Sequence, residues 1–146
     1  MAFSTIIQAS FARSFTLYRD LAGSMDAGVL GSKLPGLPSN TVGLQLWCVV
    51  GARESYTRAI KAGQWSGFSC SLASVADKAP VADALCRSAE SLSEILEGID
   101  FFTDAQHRLM IDLLEHEAAH QGQLIRYLYG LRLPIPDSWK SRHALK

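Results

Sequence analysis

The strongest constraint on the fold is a stripe of apolar residues and histidines, spaced three and four apart, in the C-terminal third of the chain. Its members are Leu109, Leu113, His116, His120, Leu124 and Tyr127. Residues at this spacing share one face of an α-helix. Thr103, with Gln106 three positions later, predicts a capping box, and Gly130 predicts a C-terminal cap. The stripe therefore predicts an amphipathic helix from about Asp104 to Tyr129.

Three further segments show helical periodicity. They are predicted to run from Phe3 to between Gly23 and Gly28, from a cap at Ser39 or Asn40 to about Ala62 with Gly63 beyond, and from about Pro80 to Gly98. The segment 31–38 is rich in proline and glycine and predicts a connector. The segment 64–76 has no predicted regular structure. The tail after Gly130 contains prolines and is predicted to be extended, with Trp139 docked on the bundle end.

Four amphipathic helices without an alternating strand pattern predict an all-α fold, a four-helix bundle with an extended C-terminal tail. A chain of 146 residues is long enough to bury a core without disulfide support. We therefore expect one domain over residues 1–146. The periodicity does not determine the order or direction of the helices.

The charge balance limits the classes of partner. Lysine and arginine together number 14, as do aspartate and glutamate, so the formal net charge is zero. This argues against broad electrostatic capture of nucleic acid or of an acidic membrane surface. No apolar run approaches the length of a membrane span.

The cysteines and the N-terminal segment predict the compartment. Cys48, Cys70 and Cys86 are odd in number and irregularly spaced, so they form neither a disulfide framework nor a paired zinc motif. Residues 1–20 are interrupted by glutamine and arginines and lack the apolar centre of a signal peptide. We therefore expect a soluble, cytoplasmic protein.

His116 and His120 occupy stripe positions where a bundle normally has leucine. Buried imidazoles need partners, and a divalent metal suits two imidazoles four residues apart. The alternative is a pair of core histidines that are hydrogen-bonded to side chains or water. The string around Glu117 also matches the helix of zinc proteases, but Gln123 and Arg126 stand where the extended motif has glycine and histidine. A protease is therefore disfavoured.

A metal site needs a third protein ligand. His107 lies nine residues before His116, about half a turn round the helix, so we expect it to face solvent. His143 in the tail is also expected to be solvated. Cys48 lies on the inward stripe of the second helix, and its thiolate is a good zinc ligand. Its alternative role is that of a small buried apolar residue.

Two motifs resemble the DinB-like family. The first is His116-Glu-Ala-Ala-His-Gln-Gly-Gln-Leu124, followed by Tyr127-Leu128, Leu133-Pro-Ile-Pro136 and Trp139. The second is the segment from Thr41 to Glu54, which resembles the second-helix motif of that family. The resemblance implies a four-helix bundle, often dimeric, with a divalent metal held by one histidine of the second helix and two of the fourth.

Carried over by position, the implied metal ligands are Cys48, His116 and His120. Cysteine in place of the family histidine implies either a Cys-His-His site suited to a softer divalent ion, zinc or nickel, or a weakened or empty site. Some relatives are metal-dependent thiol transferases. The resemblance therefore implies a low-molecular-weight thiol and a small electrophile as substrates, and a homodimer.

Three hypotheses follow. The first is a metal-dependent thiol transferase, and the second is a non-enzymatic dimeric bundle with a degenerate site. The third makes Cys48 a redox-sensing thiol. Glu117 lies about 100° round the helix from His116, so it is expected behind the ligands or at the surface rather than on the metal. Arg53 and Glu54 are expected to form a solvated or interhelical pair.

Overall fold

A computed structural model describes residues 3–146, and over that range all of its regular secondary structure is helical. Its five α-helices are α1 (Phe3–Ser24), α2 (Val42–Ala62), α3 (Lys78–Glu97), α4 (Asp104–Gly130) and α5 (Asp137–His143), with a short 3₁₀ turn at Ala27–Gly31. The predicted all-α class is confirmed. None of the helices in the described range combines the length and apolar character needed to cross a bilayer.

The four long helices form a bundle in which α1 and α2 lie on opposite corners. Each of these two packs against both α3 and α4. One core cluster joins Ile7 near the start of α1 and Met110 near the start of α4 to Ile60 and Leu96 at the ends of α2 and α3. Helices α1 and α4 therefore run in one direction, and α2 and α3 run in the other.

Because α2 and α3 are parallel neighbours, the chain between them has to return along the length of the bundle. The segment 63–77 does so along the side of α2. As the segment proceeds, its contacts move towards the start of α2. Trp65 packs on Tyr56, the amide of Ser69 donates to Ser55, and the Leu72 carbonyl accepts from Trp47. We call residues 63–77 the return segment. The sequence pattern predicted no regular structure for this segment, because its position depends on contacts with the side chains and backbone of α2.

Gly51 lets the return segment lie directly on α2. A Cβ at this position would come within 2.3 Å of the Phe68 ring and 2.9 Å of Cys70 Cβ. We therefore expect Gly51→Ala to displace the segment and to lower the free energy of unfolding by about 1–3 kcal/mol, measured by urea denaturation. Gly122→Ala is the matched control, since nothing lies within 4 Å of a Cβ there. That change is expected to stabilise the helix by roughly 0.5–1 kcal/mol, and a similar gain at Gly51 would contradict the packing argument.

The helix ends agree largely with the predicted caps. Thr103 and Gln106 form the full capping box of α4, and Gly63 ends α2 in the left-handed conformation. The N-cap of α2 is Thr41, whose hydroxyl accepts from the Leu44 amide, and not Ser39 or Asn40 as predicted. The predicted pair has other partners. Ser39 accepts from the Leu34 amide, and Asn40 holds Gln45 of α2 and Tyr127 of α4. Helix α4 includes Gly130, and Leu131 is its cap.

The C-terminal tail differs from the prediction in two respects. It leaves α4 as an extended segment but then forms α5. Trp139 lies within α5 and has no exposed surface, and it docks on the side of α1 and not on the bundle end as predicted. Its indole N–H donates to the Leu17 carbonyl at 2.6 Å, and its ring meets Tyr18 edge to face. Helix α5 is thus attached along the side of α1.

Candidate metal centre

The antiparallel helices α2 and α4 bring the three predicted ligands together. Cys48, His116 and His120 each offer one ligand atom, and these atoms all lie within 4.8 Å of one another. The Cys48 Sγ lies 3.6 Å from His116 Nε2, and the two imidazole centroids are 4.5 Å apart. Four-residue spacing places both histidines on one helical face. Within residues 3–146, no other three histidine, cysteine or acidic side chains converge in this way.

Gln45, one turn before Cys48 on α2, orients His120. The His120 Nδ1 is hydrogen-bonded to the Gln45 Oε1, and Gln45 Nε2 in turn donates to the Asn40 Oδ1 at 2.8 Å. Because an amide oxygen only accepts, the imidazole proton resides on Nδ1. The Nε2 of His120 then keeps its lone pair for the site. A hydrogen bond of this kind behind a histidine is typical of metal ligands.

Burial sets the protonation of the three side chains. Burial, and to a smaller extent the neighbouring His116, together lower the pKa of His120 to about 4. Burial also lowers the pKa of His116 and raises the pKa of the Cys48 thiol. In the metal-free protein the imidazoles are therefore neutral near pH 7, which is the form that binds metals, and the thiol keeps its proton. Metal binding would release that proton.

The donor set fits a transition metal. One sulfur and two imidazole nitrogens are typical ligands of zinc, and their separations suit donors that share a single ion. His120 is largely buried, whereas Cys48 and His116 are half-buried. The centre therefore lies near the surface between α2 and α4, where a small molecule can approach it. Three protein donors leave a coordination position for such a molecule.

Arg53 forms an interhelical pair, one of the two predicted alternatives, but its partner is Glu117. Arg53 is neither solvated nor paired with Glu54, because it forms a fully buried ion pair with Glu117 of α4. The Arg53 Nε lies 3.0 and 3.2 Å from the two Glu117 carboxylate oxygens, and Nη1 donates to the Leu85 carbonyl of α3 at 2.9 Å. The guanidinium also lies over the Phe15 ring of α1, 4.6 Å from its centroid. Arg53 thus contacts all four long helices.

Glu117 is not one of the converging ligands, as predicted, but it is also not at the surface. Burial raises the pKa of Glu117, while the Arg53 charge beside it acts in the opposite direction. Its backbone carbonyl accepts a 2.7 Å hydrogen bond from Tyr18 of α1. Glu117 therefore holds α4 against its neighbours immediately beside the candidate ligand His116. A signal for the burial of Arg53 was present in the sequence, since it follows the apolar run Val49 to Ala52, but this run does not identify its partner.

The remaining histidines and cysteines lie elsewhere. His107 packs on the rings of Phe3 and Phe102 and is half-buried, not solvated as predicted. His143 is also half-buried, and its Nε2 lies 3.1 Å from the Gln121 Oε1. The other thiols do not belong to the converging group: Cys70 lies against the carbonyl of Trp47, the neighbour of Cys48, and Cys86 is exposed beside Glu90.

Two comparisons with known proteins gave no match. No protein-family model matches the sequence. No curated protein matches it either. The motifs in the sequence and the geometry of the site are therefore the features that indicate a function.

Proposed function

We propose that the protein is a metal-dependent thiol transferase of the DinB-like type, in which Cys48, His116 and His120 hold one divalent ion. The observation that carries the proposal is the convergence of their three ligand atoms to within 4.8 Å. The thiolate ligand favours zinc, with nickel as the alternative. The hydrogen bond from His120 to Gln45 supports the proposal, because it presents the free imidazole nitrogen to the site.

The residues of the chain prepare the site for this chemistry. When bound, the metal supplies Lewis acidity that favours the thiolate form of a low-molecular-weight thiol. Gln45 keeps the His120 proton on Nδ1, and the half-buried Cys48 and His116 leave the site open to substrate. In the net reaction a sulfur–carbon bond forms, the electrophile loses its leaving group, and the thiol proton passes to solvent.

Elemental analysis of protein purified without a metal-affinity tag tests the metal site. We expect one equivalent of zinc or nickel per chain, and we expect His120→Ala to remove it. Loss of a direct ligand should lower the metal affinity by more than the roughly 10–100-fold that follows loss of an orienting partner. In cobalt-loaded protein, the sulfur-to-metal charge-transfer band should disappear in Cys48→Ser.

His107→Ala is the matched control, because it removes a histidine of the same helix that lies outside the centre. It is expected to retain the full metal content. A well-folded, metal-free wild type, or metal content that survives His120→Ala, would refute the site. If metal binds, incubation with small thiols and an alkylating acceptor tests transfer, which should be lost in His120→Ala together with the metal.

One observation favours a second candidate, a non-enzymatic homodimeric bundle with a degenerate site. The Nδ1 of His116 is buried and has no hydrogen-bond partner within residues 3–146. Metal-ligating histidines usually have such a partner, so this ligand lacks the support that His120 has. Light scattering combined with metal analysis separates the candidates. A metal-free dimer that is unchanged by His120→Ala supports the second.

A further inference from the structure

A second candidate site lies where α1, α4 and α5 meet. Two adjoining depressions of about 220 and 460 Å³ share Arg13, Leu17 and Arg142. Ala118 of α4 lines the smaller one and lies about 200° round the helix from His116. This α1–α4–α5 cleft is therefore separate from the candidate metal centre.

The cleft carries positive charge without a counter-charge. Arg13 of α1 and Arg142 of α5 line both depressions, and no carboxylate lines either of them. Neither arginine forms an ion pair with any residue in the described range. The docking of Trp139 holds α5 against α1, which brings Arg142 to the same cleft as Arg13. Two such guanidinium groups favour an anion, with which each can form charge-assisted hydrogen bonds.

Buried polar groups line the same cleft. Ser14 and Gln121 are only 6% and 5% exposed, and Gln121 Nε2 donates to the Ser14 hydroxyl at 2.9 Å. Both line the smaller depression. In the larger one, the buried Ser138 hydroxyl has no hydrogen-bond partner within residues 3–146. These polar groups lie beneath the surface of the cleft, and the charged groups that a ligand can reach directly are the exposed Arg13 and Arg142.

We propose that the α1–α4–α5 cleft binds a small oxyanion carrying two negative charges, such as a phosphate or a dicarboxylate. Arg13 and Arg142 supply the charge complement. The hydrogen-bonded Ser14–Gln121 pair forms the polar base of the smaller depression. Anion binding here does not require the metal centre, because none of the three candidate metal ligands lines the cleft.

Titration of the full chain with inorganic phosphate, and separately with succinate, tests the site. At constant ionic strength, we expect saturable binding at millimolar concentrations or below, with amide resonances of Ser138 and Gln121 shifting in nuclear magnetic resonance spectra. The probe that binds with the higher affinity identifies the class of ligand, a phosphate or a dicarboxylate. Arg142→Gln and Arg13→Gln should each weaken binding by roughly tenfold or more, as expected for loss of a hydrogen bond to a charged group.

Arg108→Gln is the matched control, since it removes the same charge from an exposed position of α4 outside the cleft. The affinity of this variant for either anion should equal that of the wild type. The proposal is overturned if Arg108→Gln weakens binding as much as Arg142→Gln does, because the attraction is then non-specific. Absence of saturable binding of both probes at millimolar concentrations overturns it as well.

Discussion

Glu117→Leu is expected to lower the free energy of unfolding by about 3–5 kcal/mol, the usual result of removing one partner from a buried ion pair. The change leaves the Arg53 guanidinium in the centre of the bundle without a counter-charge. Both side chains are only 1% exposed, so water cannot replace the lost carboxylate. The hydrogen bond to the Leu85 carbonyl and the contact with the Phe15 ring remain, but neither carries a negative charge.

A second replacement distinguishes the loss of the ion pair from simple loss of packing. Arg53→Met combined with Glu117→Leu removes both charges and keeps similar side-chain volumes. Apolar replacement of a whole buried pair is often neutral or stabilising by about 1–4 kcal/mol. We therefore expect the double variant to be more stable than Glu117→Leu alone. Urea denaturation monitored by circular dichroism measures both differences.

Glu115→Leu is the control for this prediction. Glu115 lies two residues earlier on the same helix and is exposed, so its replacement should change stability by no more than about 0.5 kcal/mol. Two results would contradict the interpretation. One is a double variant less stable than Glu117→Leu, and the other is a Glu117→Leu variant as stable as Glu115→Leu.

Trp139→Ala is expected to cost about 3–5 kcal/mol, which is the typical cost of removing a buried tryptophan from a core. Trp139 is completely buried, and its indole N–H donates to the Leu17 carbonyl of α1. Much of the attachment of α5 depends on this side chain, so we also expect α5 to become mobile. Hydrogen exchange of the α5 amides, together with urea denaturation, tests both parts.

Trp65→Ala removes the same side chain from the return segment, where the tryptophan is about half exposed. Its smaller burial predicts a cost well below that of Trp139→Ala. Trp139→Phe keeps an aromatic ring but loses the N–H donor, and an intermediate cost is expected. Equal stability of the two alanine variants would show that α5 is not anchored by Trp139.

The amino-acid sequence by itself determined the class of the fold and two of the three candidate ligands. The periodicity of α4 placed His116 and His120 on one inward face, and the Thr103 capping box located the start of that helix. These are local properties, since residues a few positions apart decide them. Local pattern alone does not identify Cys48 as a ligand. The stripe of the second helix places it on an inward face, and the family resemblance implies that it binds the metal.

The tertiary structure alone decided which residues of different helices face one another. Arg53 and Glu117 are 64 residues apart in sequence, and their pairing depends on the antiparallel packing of α2 against α4. The direction of α3 depends on the return segment, whose contacts with α2 have no periodic signal. The meeting of Arg13 with Arg142 likewise requires α5 to dock. Periodicity specifies the inward face of each helix, but the neighbour and register of that face depend on packing the whole chain at once.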